Sequence, residues 1–260
     1  MAAGTLITGA SGLIGTWVLH HWSDTGTTPM PVRHADVDLL APGAAADLVA
    51  RTTPAQVVHL AWSASGNADY RTSDDNDRWL TATLELVEAA RSVGSAVWLT
   101  GTAVDDATDA TDAYTRSKAG LKARLAPLIE ASVVGWLRPY YVFDEARRRP
   151  ALVDLAVTTR ERGETLHLRS PHQHHDFVHA SDVGRAIVAS VTHGLTGEVP
   201  IGSGRLRSVA DLVTRLDTPW SADQAELDTP PTHSGDVADT TRLAAVGWEP
   251  TRTEEFFTHG

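Results

Sequence analysis

The chain has 260 residues, 42% hydrophobic and 21% charged, so its composition is globular and it is long enough to bury a sizeable core. Its net charge of −11, with no basic block among 22 Lys and Arg residues, argues against a nucleic-acid surface. The lack of cysteine excludes disulfides, thiolate metal sites and cysteine nucleophiles.

A glycine-rich segment follows the first apolar run, Thr5 to Thr8. A strand that leads into such a turn and then a helix can hold a dinucleotide pyrophosphate. The glycines allow close backbone approach, and the helix N-terminus attracts negative charge. The alternative is an ordinary tight turn between a strand and a helix. The cofactor contacts predicted here are Gly9, Ser11, Gly12, Leu13, Ile14 and Gly15.

The second predicted strand runs from Met30 to Arg33 and is followed by His34. Dinucleotide-binding folds distinguish NAD from NADP at the end of this strand. Arginine suits a 2′-phosphate better than a hydroxyl, so the pattern favours NADP(H) over NAD(H). If the strand ends later, Asp36 or Asp38 would instead bind the ribose hydroxyl. The cofactor contacts predicted here are Arg33, His34, Asp38 and Leu39.

Further apolar runs alternate with segments of helical periodicity, which predicts βαβ units. The fold class is therefore α/β, a doubly wound parallel sheet of Rossmann type. The segment from Asp36 to Ala46 has the composition of a loop. The other predicted strands are Val57 to Ala61, Val97 to Thr100 and Val133 to Leu137, and the predicted helices include Leu80 to Ala90 and Ala119 to Ala131.

The pattern becomes irregular and richer in proline after about Phe143. We therefore predict a Rossmann domain, residues 1–142, to which residues 176–204 return. Residues 143–175 and 205–260 are predicted to form a small substrate-binding lobe.

Tyr114 and Lys118 are four residues apart, which on a helix places both side chains on one face. A lysine ammonium beside a phenol favours the phenolate and lowers the tyrosine pKa. Such a phenol can donate a proton to a carbonyl oxygen. The alternative is a solvated helix face. Thr100 and Thr102, at the end of a buried strand, favour the catalytic interpretation, because open α/β sheets place their chemistry there.

Taken in order, these motifs resemble the extended short-chain dehydrogenase/reductase family, which includes sugar-nucleotide epimerases, dehydratases and ketoreductases. The resemblance extends from residue 5 to about residue 250. Its later landmarks are Val57 to Ala61, Leu137 to Phe143, His175 to Val183, Ile201 to Gly204 and Gly247 to Pro250.

The resemblance implies roles for individual residues. Tyr114 would protonate a ketone oxygen, Lys118 would bind the nicotinamide ribose, and Thr102 would orient the substrate. It also implies cofactor contacts at Leu60, Ala61, Trp62, Thr100, Lys118, Pro139, Tyr140 and Tyr141. The implied substrate contacts are Trp62, Thr102, Tyr114, Tyr141 and His175.

Two absences narrow the implied reaction. Ala103 and Val104 follow Thr102 where 4,6-dehydratases carry an Asp-Glu pair, and Asp105 and Asp106 are interpreted as loop residues. The epimerase-reductases that use a cysteine acid are excluded, because the chain has no cysteine. What remains is an NADPH-dependent 4-ketoreductase acting on a nucleotide-linked deoxysugar, of the kind used in assembling specialised metabolites. The alternatives are an NAD-dependent sugar-nucleotide epimerase, a reductase of a non-sugar ketone and a non-catalytic NADP-sensing protein.

The sequence departs from the family pattern at three places: Trp79 and Tyr141 replace asparagines, and only eleven residues separate Thr102 from Tyr114. A shorter loop predicts a more open or differently closed pocket.

Four histidines lie close together in the sequence: His172, His174, His175 and His179. No carboxylate or cysteine pattern near them completes a set of metal ligands, so no metal is predicted. His175 stands where relatives carry the arginine that meets the nucleotide diphosphate.

By analogy, relatives dimerise through helices that correspond to Leu80–Ala90 and Tyr114–Leu125, so a homodimer is expected. No apolar run reaches the length of a membrane span, and the N-terminus lacks a signal-peptide pattern. We therefore expect a cytoplasmic protein whose partner is a nucleotide-sugar small molecule, without nucleic-acid or membrane partners.

Overall fold

A computed structural model describes residues 4–63, 68–106, 110–146, 152–233 and 237–258. Its strands are β1 Thr5–Thr8, β2 Met30–Val32, β3 Gln56–His59, β4 Ala96–Thr100, β5 Val134–Pro139, β6 Tyr141–Phe143, β7 Leu166–His167, β8 Gln173–His175, β9 Phe177–His179, β10 Gly197–Ile201, β11 Arg207–Ser208, β12 Trp220–Ser221 and β13 Thr232–His233. Its α-helices are α1 Leu13–Trp22, α2 Ala44–Thr52, α3 Asp75–Ser92, α4 Ala113–Glu130, α5 Leu152–Glu161, α6 Ala180–Thr192, α7 Val209–Arg215, α8 Gln224–Leu227, α9 Thr241–Ala244 and α10 Thr251–Thr258. Short 3₁₀ helices span Ser23–Thr25 and Ala68–Arg71.

The central sheet has the strand order β10-β5-β4-β3-β1-β2, and all its neighbouring strands are parallel. The chain moves outward from β1 to β2 and then returns to the other side of β1 with β3. Ligands of open α/β sheets bind where the strand order reverses in this way, at the carboxyl ends of the strands. The predicted doubly wound α/β sheet is confirmed, and the ends of β1 and β3 define its ligand edge.

Helices cover both faces of the sheet because successive strand residues point to opposite sides. Leu6 packs into the core beneath α2, α3 and α4, whereas its neighbour Ile7 packs beneath α1 and α6. Val57 and Val58 divide in the same way. The central residues of β1 and β3 are therefore apolar on both faces, which is why these strands were detectable as short continuous runs.

The predicted helices start earlier in the structure than their apolar periodicity indicates. The helix expected from Ala119 begins at Ala113, because the Asp112 side chain accepts a hydrogen bond from the Thr115 backbone N–H and caps it. The predicted loop from Asp36 to Ala46 contains no strand, but its last three residues already belong to α2.

The small lobe has an apolar core of its own, formed mainly by α5, α7 and α10. β6 pairs with β9 across the junction with the Rossmann domain. Leu243 and Trp248, which we assigned to the lobe, instead pack with Ile7 and Trp98 against the sheet. The lobe boundaries remain a proposal, and the segment around α9 lies on the Rossmann side. No described helix is both long and apolar enough to cross a membrane.

Candidate active site

The turn between β1 and α1 requires glycine at two positions. Gly9 has a φ of +70°, and a Cβ there would lie 2.6 Å from the Ala61 backbone nitrogen. A Cβ at Gly15 would lie 2.2 Å from the Gly9 carbonyl oxygen. Among the described residues, no side chain caps α1 at Gly12, and its first turn carries no acidic residue. The turn thus leaves a bare helix N-terminus at the ligand edge, which suits an anionic pyrophosphate.

A cleft of about 610 Å³ opens beside this turn, between the sheet and the small lobe. The predicted site residues that line it are Gly9, Ser11, Gly12, Leu13, Ile14, Gly15, Leu60, Trp62, Thr100, Thr102, Tyr114, Lys118, Pro139, Tyr140, Tyr141 and His175. Ala61 lies against Gly9 but does not line the cleft. The fold therefore brings together most of the residues predicted from separate motifs.

The predicted contacts after β2 lie apart from the cleft. Arg33, His34 and Asp38 are exposed, and His34 lies 3.9 Å from the Asp38 carboxylate. The strand ends at Val32, and Asp36 accepts a hydrogen bond from the Arg33 backbone. Leu39 is buried in the apolar core, where it packs with Val32 and Leu48. The exposed Arg33 side chain thus lies directly after the end of β2 and does not line the cleft.

Lys118 projects from α4 into a nearly dry environment and is 2% exposed. Its Nζ donates a hydrogen bond to the Thr100 carbonyl oxygen at 3.0 Å and lies 3.8 Å from the Trp62 ring centroid. Burial lowers the pKa of Lys118 to about 7, against the opposing attraction of Asp105. The ammonium therefore titrates near neutral pH.

Tyr114 lies one turn before Lys118 among aromatic side chains. The Trp62 ring meets it edge-on at 6.4 Å, and the Tyr70 ring does so at 5.3 Å. The Arg71 guanidinium lies 5.9 Å from its ring centroid. Tyr70 and Arg71 were missed by sequence reasoning, since they precede α3 in a segment without a motif.

Trp62 is fixed by Asn76, which the sequence analysis also missed. The indole Nε1 donates to Asn76 Oδ1 at 2.9 Å, and Asn76 Nδ2 donates to the carbonyl oxygens of Tyr70 and Ser73. Asn76 is 1% exposed and uses both ends of its amide. These hydrogen bonds of Asn76 thus link the segment before α3 to the Trp62 ring beside Lys118.

The segment after β4 is held by a buried carboxylate. Asp105 Oδ2 accepts hydrogen bonds from the Thr102 backbone and from Trp136 Nε1, both at 2.9 Å. Its Oδ1 pairs with Lys122 and Arg138. Burial raises the pKa of Asp105, although these partners oppose the shift. The interpretation of Asp105 as an ordinary loop residue was incomplete, because it fixes the backbone of Thr102. Residues 107–109 of the short loop lie outside the described residues.

His175 and Tyr141 stack at the lobe side of the cleft, with ring centroids 3.9 Å apart. Burial, with a smaller contribution from His174, lowers the pKa of His175 to about 4. The imidazole is therefore neutral at pH 7 and can contact a phosphate through a hydrogen bond only, without the charge of an arginine.

His179 belongs to a different cluster from the other three histidines. Its Nδ1 accepts the Ser181 N–H, so its Nε2 donates to Glu145. Asp144, Glu145 and His179 offer three possible metal-ligand atoms within 4.8 Å. Because Trp17 donates to Asp144 and Arg252 pairs with Glu145, these contacts already account for the cluster, and the expectation of no metal stays a prediction.

Solved structures with the same fold cover nearly the whole chain. The UDP-glucose 4-epimerase of Thermus thermophilus, in complex with NAD, has a TM-score of 0.71 at 20% identity, over 95% of this chain and 93% of that one. The GDP-mannoheptose C4 reductase of Campylobacter jejuni, with NADP bound, has a TM-score of 0.72 at 14% identity, over 96% and 94%. A dTDP-4-dehydrorhamnose reductase of Clostridium acetobutylicum has a TM-score of 0.73 at 15% identity, over 98% of each chain.

No curated protein matches the chain in sequence. The model of the NAD dependent epimerase/dehydratase family matches residues 5–202, which include the glycine turn, Thr102, Tyr114, Lys118 and His175. The chain belongs to the NAD dependent epimerase/dehydratase family.

Proposed function

We propose that the chain is an NADPH-dependent reductase that converts a nucleotide-linked 4-keto-deoxysugar into the alcohol, as a step of deoxysugar assembly. The observation that carries this proposal is the placement of Tyr114, Lys118 and Thr102 in one cleft with the glycine turn of α1. A proton donor and a dinucleotide cradle that share one cleft suit carbonyl reduction.

The residues present fit a nicotinamide dinucleotide. Gly9, Gly12 and Gly15 would admit the pyrophosphate, since side chains at Gly9 and Gly15 would fill the space that the turn needs. Ser11, Leu13 and Ile14 would complete this contact, and Leu60, Ala61, Pro139 and Tyr140 would flank the rest of the cofactor. When bound, the reduced nicotinamide supplies a hydride.

The protein would orient the ketone and protonate it. Thr102 would hydrogen-bond the ketone oxygen, and Tyr114 would give its phenolic proton to that oxygen as the alcohol forms. Lys118 would bind the ribose and favour the resulting phenolate. Trp62, Tyr141 and His175 would bound the sugar and the nucleotide with aromatic rings.

The preference for NADPH is proposed from Arg33. A guanidinium binds a phosphate by paired charge-assisted hydrogen bonds, which a ribose hydroxyl does not offer. Arg33 is exposed directly after β2 and has no buried carboxylate among its described contacts. His34 and Asp38 would lie beside the same ribose.

A sugar-nucleotide 4-epimerase with resident NAD is the second candidate. The chain is about as similar in fold to the Thermus thermophilus epimerase as to the reductases. Identification of the nucleotide in the purified protein separates the two candidates, because tightly held NAD⁺ favours the epimerase.

The decisive experiment follows NADPH oxidation at 340 nm with a dTDP-4-keto-6-deoxyhexose, beside NADH and the Tyr114→Phe variant. We expect turnover that favours NADPH and falls at least ~100-fold without the phenolic proton. Cofactor binding without turnover of the ketosugar would reject this substrate class.

A homodimer and a cytoplasmic location remain predictions. Measuring the molecular mass in solution tests the homodimer.

A further inference from the structure

Lys118 alone is a weak source of positive charge for Tyr114. Its ammonium is buried against the Trp62 face and donates a hydrogen bond to the Thr100 carbonyl oxygen. Burial lowers the pKa of Lys118 to about 7, so this positive charge is lost as the pH rises through neutrality. A lysine that is partly deprotonated at neutral pH provides only part of the positive charge that would stabilise the Tyr114 phenolate.

Arg71 provides a second cation on the cleft wall, and its charge is permanent. Its guanidinium carbon lies 5.9 Å from the Tyr114 ring centroid and 5.6 Å from that of Tyr70. Burial acts to lower the pKa of Arg71, but attraction to Tyr70, Asp112 and Tyr114 outweighs it and raises the pKa. The same attraction, acting in return, favours the ionised form of Tyr114.

Asp112 holds Arg71 at this position. Its Oδ2 pairs with the guanidinium at 3.2 Å, while its Oδ1 accepts the Thr115 N–H at the start of α4. The carboxylate therefore ties Arg71 to the first turn of the helix that carries Tyr114. An arginine on a mobile surface side chain would have no fixed distance to the phenol.

The groups that face Tyr114 come from three parts of the chain. Tyr70 and Arg71 precede α3, Asp112 and Lys118 belong to α4 and its cap, and the uncharged Trp62 follows β3. Asp112 opposes Arg71 electrostatically, and the Arg71 side chain is 48% exposed. The expected effect on Tyr114 is therefore about one pH unit rather than several.

We propose that Arg71 is a positioning residue of this site: its permanent charge, fixed by Asp112, favours the phenolate form of Tyr114. The inference rests on the proposed role of Tyr114 as proton donor. It assigns to this chain a second cation that acts together with Lys118.

The test is a pH titration of the full chain labelled with [¹³Cζ]tyrosine, followed by NMR. The chain has only four tyrosines, and Tyr114→Phe assigns the Tyr114 signal. We expect Arg71→Met to raise the pKa of Tyr114 by about one unit and Arg71→Lys to restore most of the shift. Lys118→Met should raise it by no more than Arg71→Met does.

The matched control is Arg78→Met, since Arg78 also pairs with an aspartate, Asp75, on an exposed surface. The proposal is overturned if Arg71→Met moves the Tyr114 pKa no more than this control, or less than Lys118→Met does. The titration uses no substrate, so a failed ketosugar assay leaves its result unaffected.

Discussion

At the scale of single residues, the buried amine of Lys118 makes the stability of the fold depend on pH. Charged and buried beside Trp62, it has a pKa near 7 in the folded chain, against 10.5 when unfolded. Below pH 7 the Lys118 amine is protonated in the folded state, and the desolvation penalty of this buried charge lowers the free energy of unfolding in full. Between pH 7 and 10.5 the unfolded chain holds a proton that the folded chain has released, so stability rises with pH.

We therefore expect Lys118→Met to stabilise the chain at pH 6, by up to about 5 kcal/mol. This gain should shrink by about 1.4 kcal/mol per pH unit above pH 7. Urea unfolding at pH 6 and pH 9 measures both quantities. Lys122→Met is the control: burial acts to lower the pKa of Lys122, but ion pairing outweighs it and raises the pKa, so loss of this lysine should destabilise the chain similarly at both pH values. A Lys118→Met effect that is the same at both pH values contradicts the assignment.

The sequence predicted Tyr114 and Lys118 because their relation is local, within one helical turn. Asp105 could not be assigned in the same way, since its partners Arg138 and Trp136 are more than 30 residues away along the chain. Arg71 was missed for the same reason, because it pairs with Asp112, 41 residues on. Residues whose partners lie far away along the chain leave no periodic signal in the sequence.

At the scale of elements, the β1–α1 turn combines two separate demands on Gly9. One is its positive φ, and the other is the contact with the Ala61 backbone. Gly26 has the same φ of +70°, but a Cβ there would meet nothing within 4 Å. Comparing substitutions at Gly9 and Gly26 therefore separates the energetic cost of the left-handed backbone from the cost of close packing.

We expect Gly26→Ala to destabilise the chain by about 1 kcal/mol, from the left-handed backbone alone. Gly9→Ala should cost about 3 kcal/mol, because overpacking against Ala61 is added. It should also weaken NADPH binding at least ~10-fold, whereas Gly26→Ala leaves binding unchanged. Thermal unfolding and fluorescence titration with NADPH measure the two effects. Equal losses in both variants would show that the turn tolerates a side chain.

The elements themselves were predictable where their pattern was continuous. β1 and β4 were located to within a residue, since apolar side chains fill both faces of a covered parallel sheet. Leu39 was predicted as a cofactor contact but packs in the core with Leu48. The sequence shows that such a residue is apolar and near a strand end, but not which neighbour covers it.

At the scale of the whole molecule, Asp182 connects the Rossmann domain to the C-terminal helix. This buried carboxylate on α6 accepts hydrogen bonds from the Arg252 and Thr253 backbones and from the Thr253 hydroxyl at the start of α10. α10 in turn contributes Phe257 to the core of the small lobe. One side chain thus fixes the helix that joins the two cores.

We expect Asp182→Ala to lower the free energy of unfolding by about 3 kcal/mol, because several buried donors and Arg185 lose their partner. It should also make residues 251–258 sensitive to limited proteolysis. Glu255→Ala removes an exposed carboxylate from the same helix and should change stability by less than about 0.5 kcal/mol. Urea unfolding and protease digestion followed by mass spectrometry measure these effects. Protection of α10 in the Asp182 variant would refute the role.

The two outermost strands of the central sheet affect how readily the folded chain aggregates. β2 has three residues and β10 has five, and each contains a proline, Pro31 and Pro200. Proline has no N–H to offer to an incoming strand, and a short edge gives little length for pairing. Both open sides of the sheet therefore resist edge-to-edge growth, which protects the native chain from β-aggregation at high concentration.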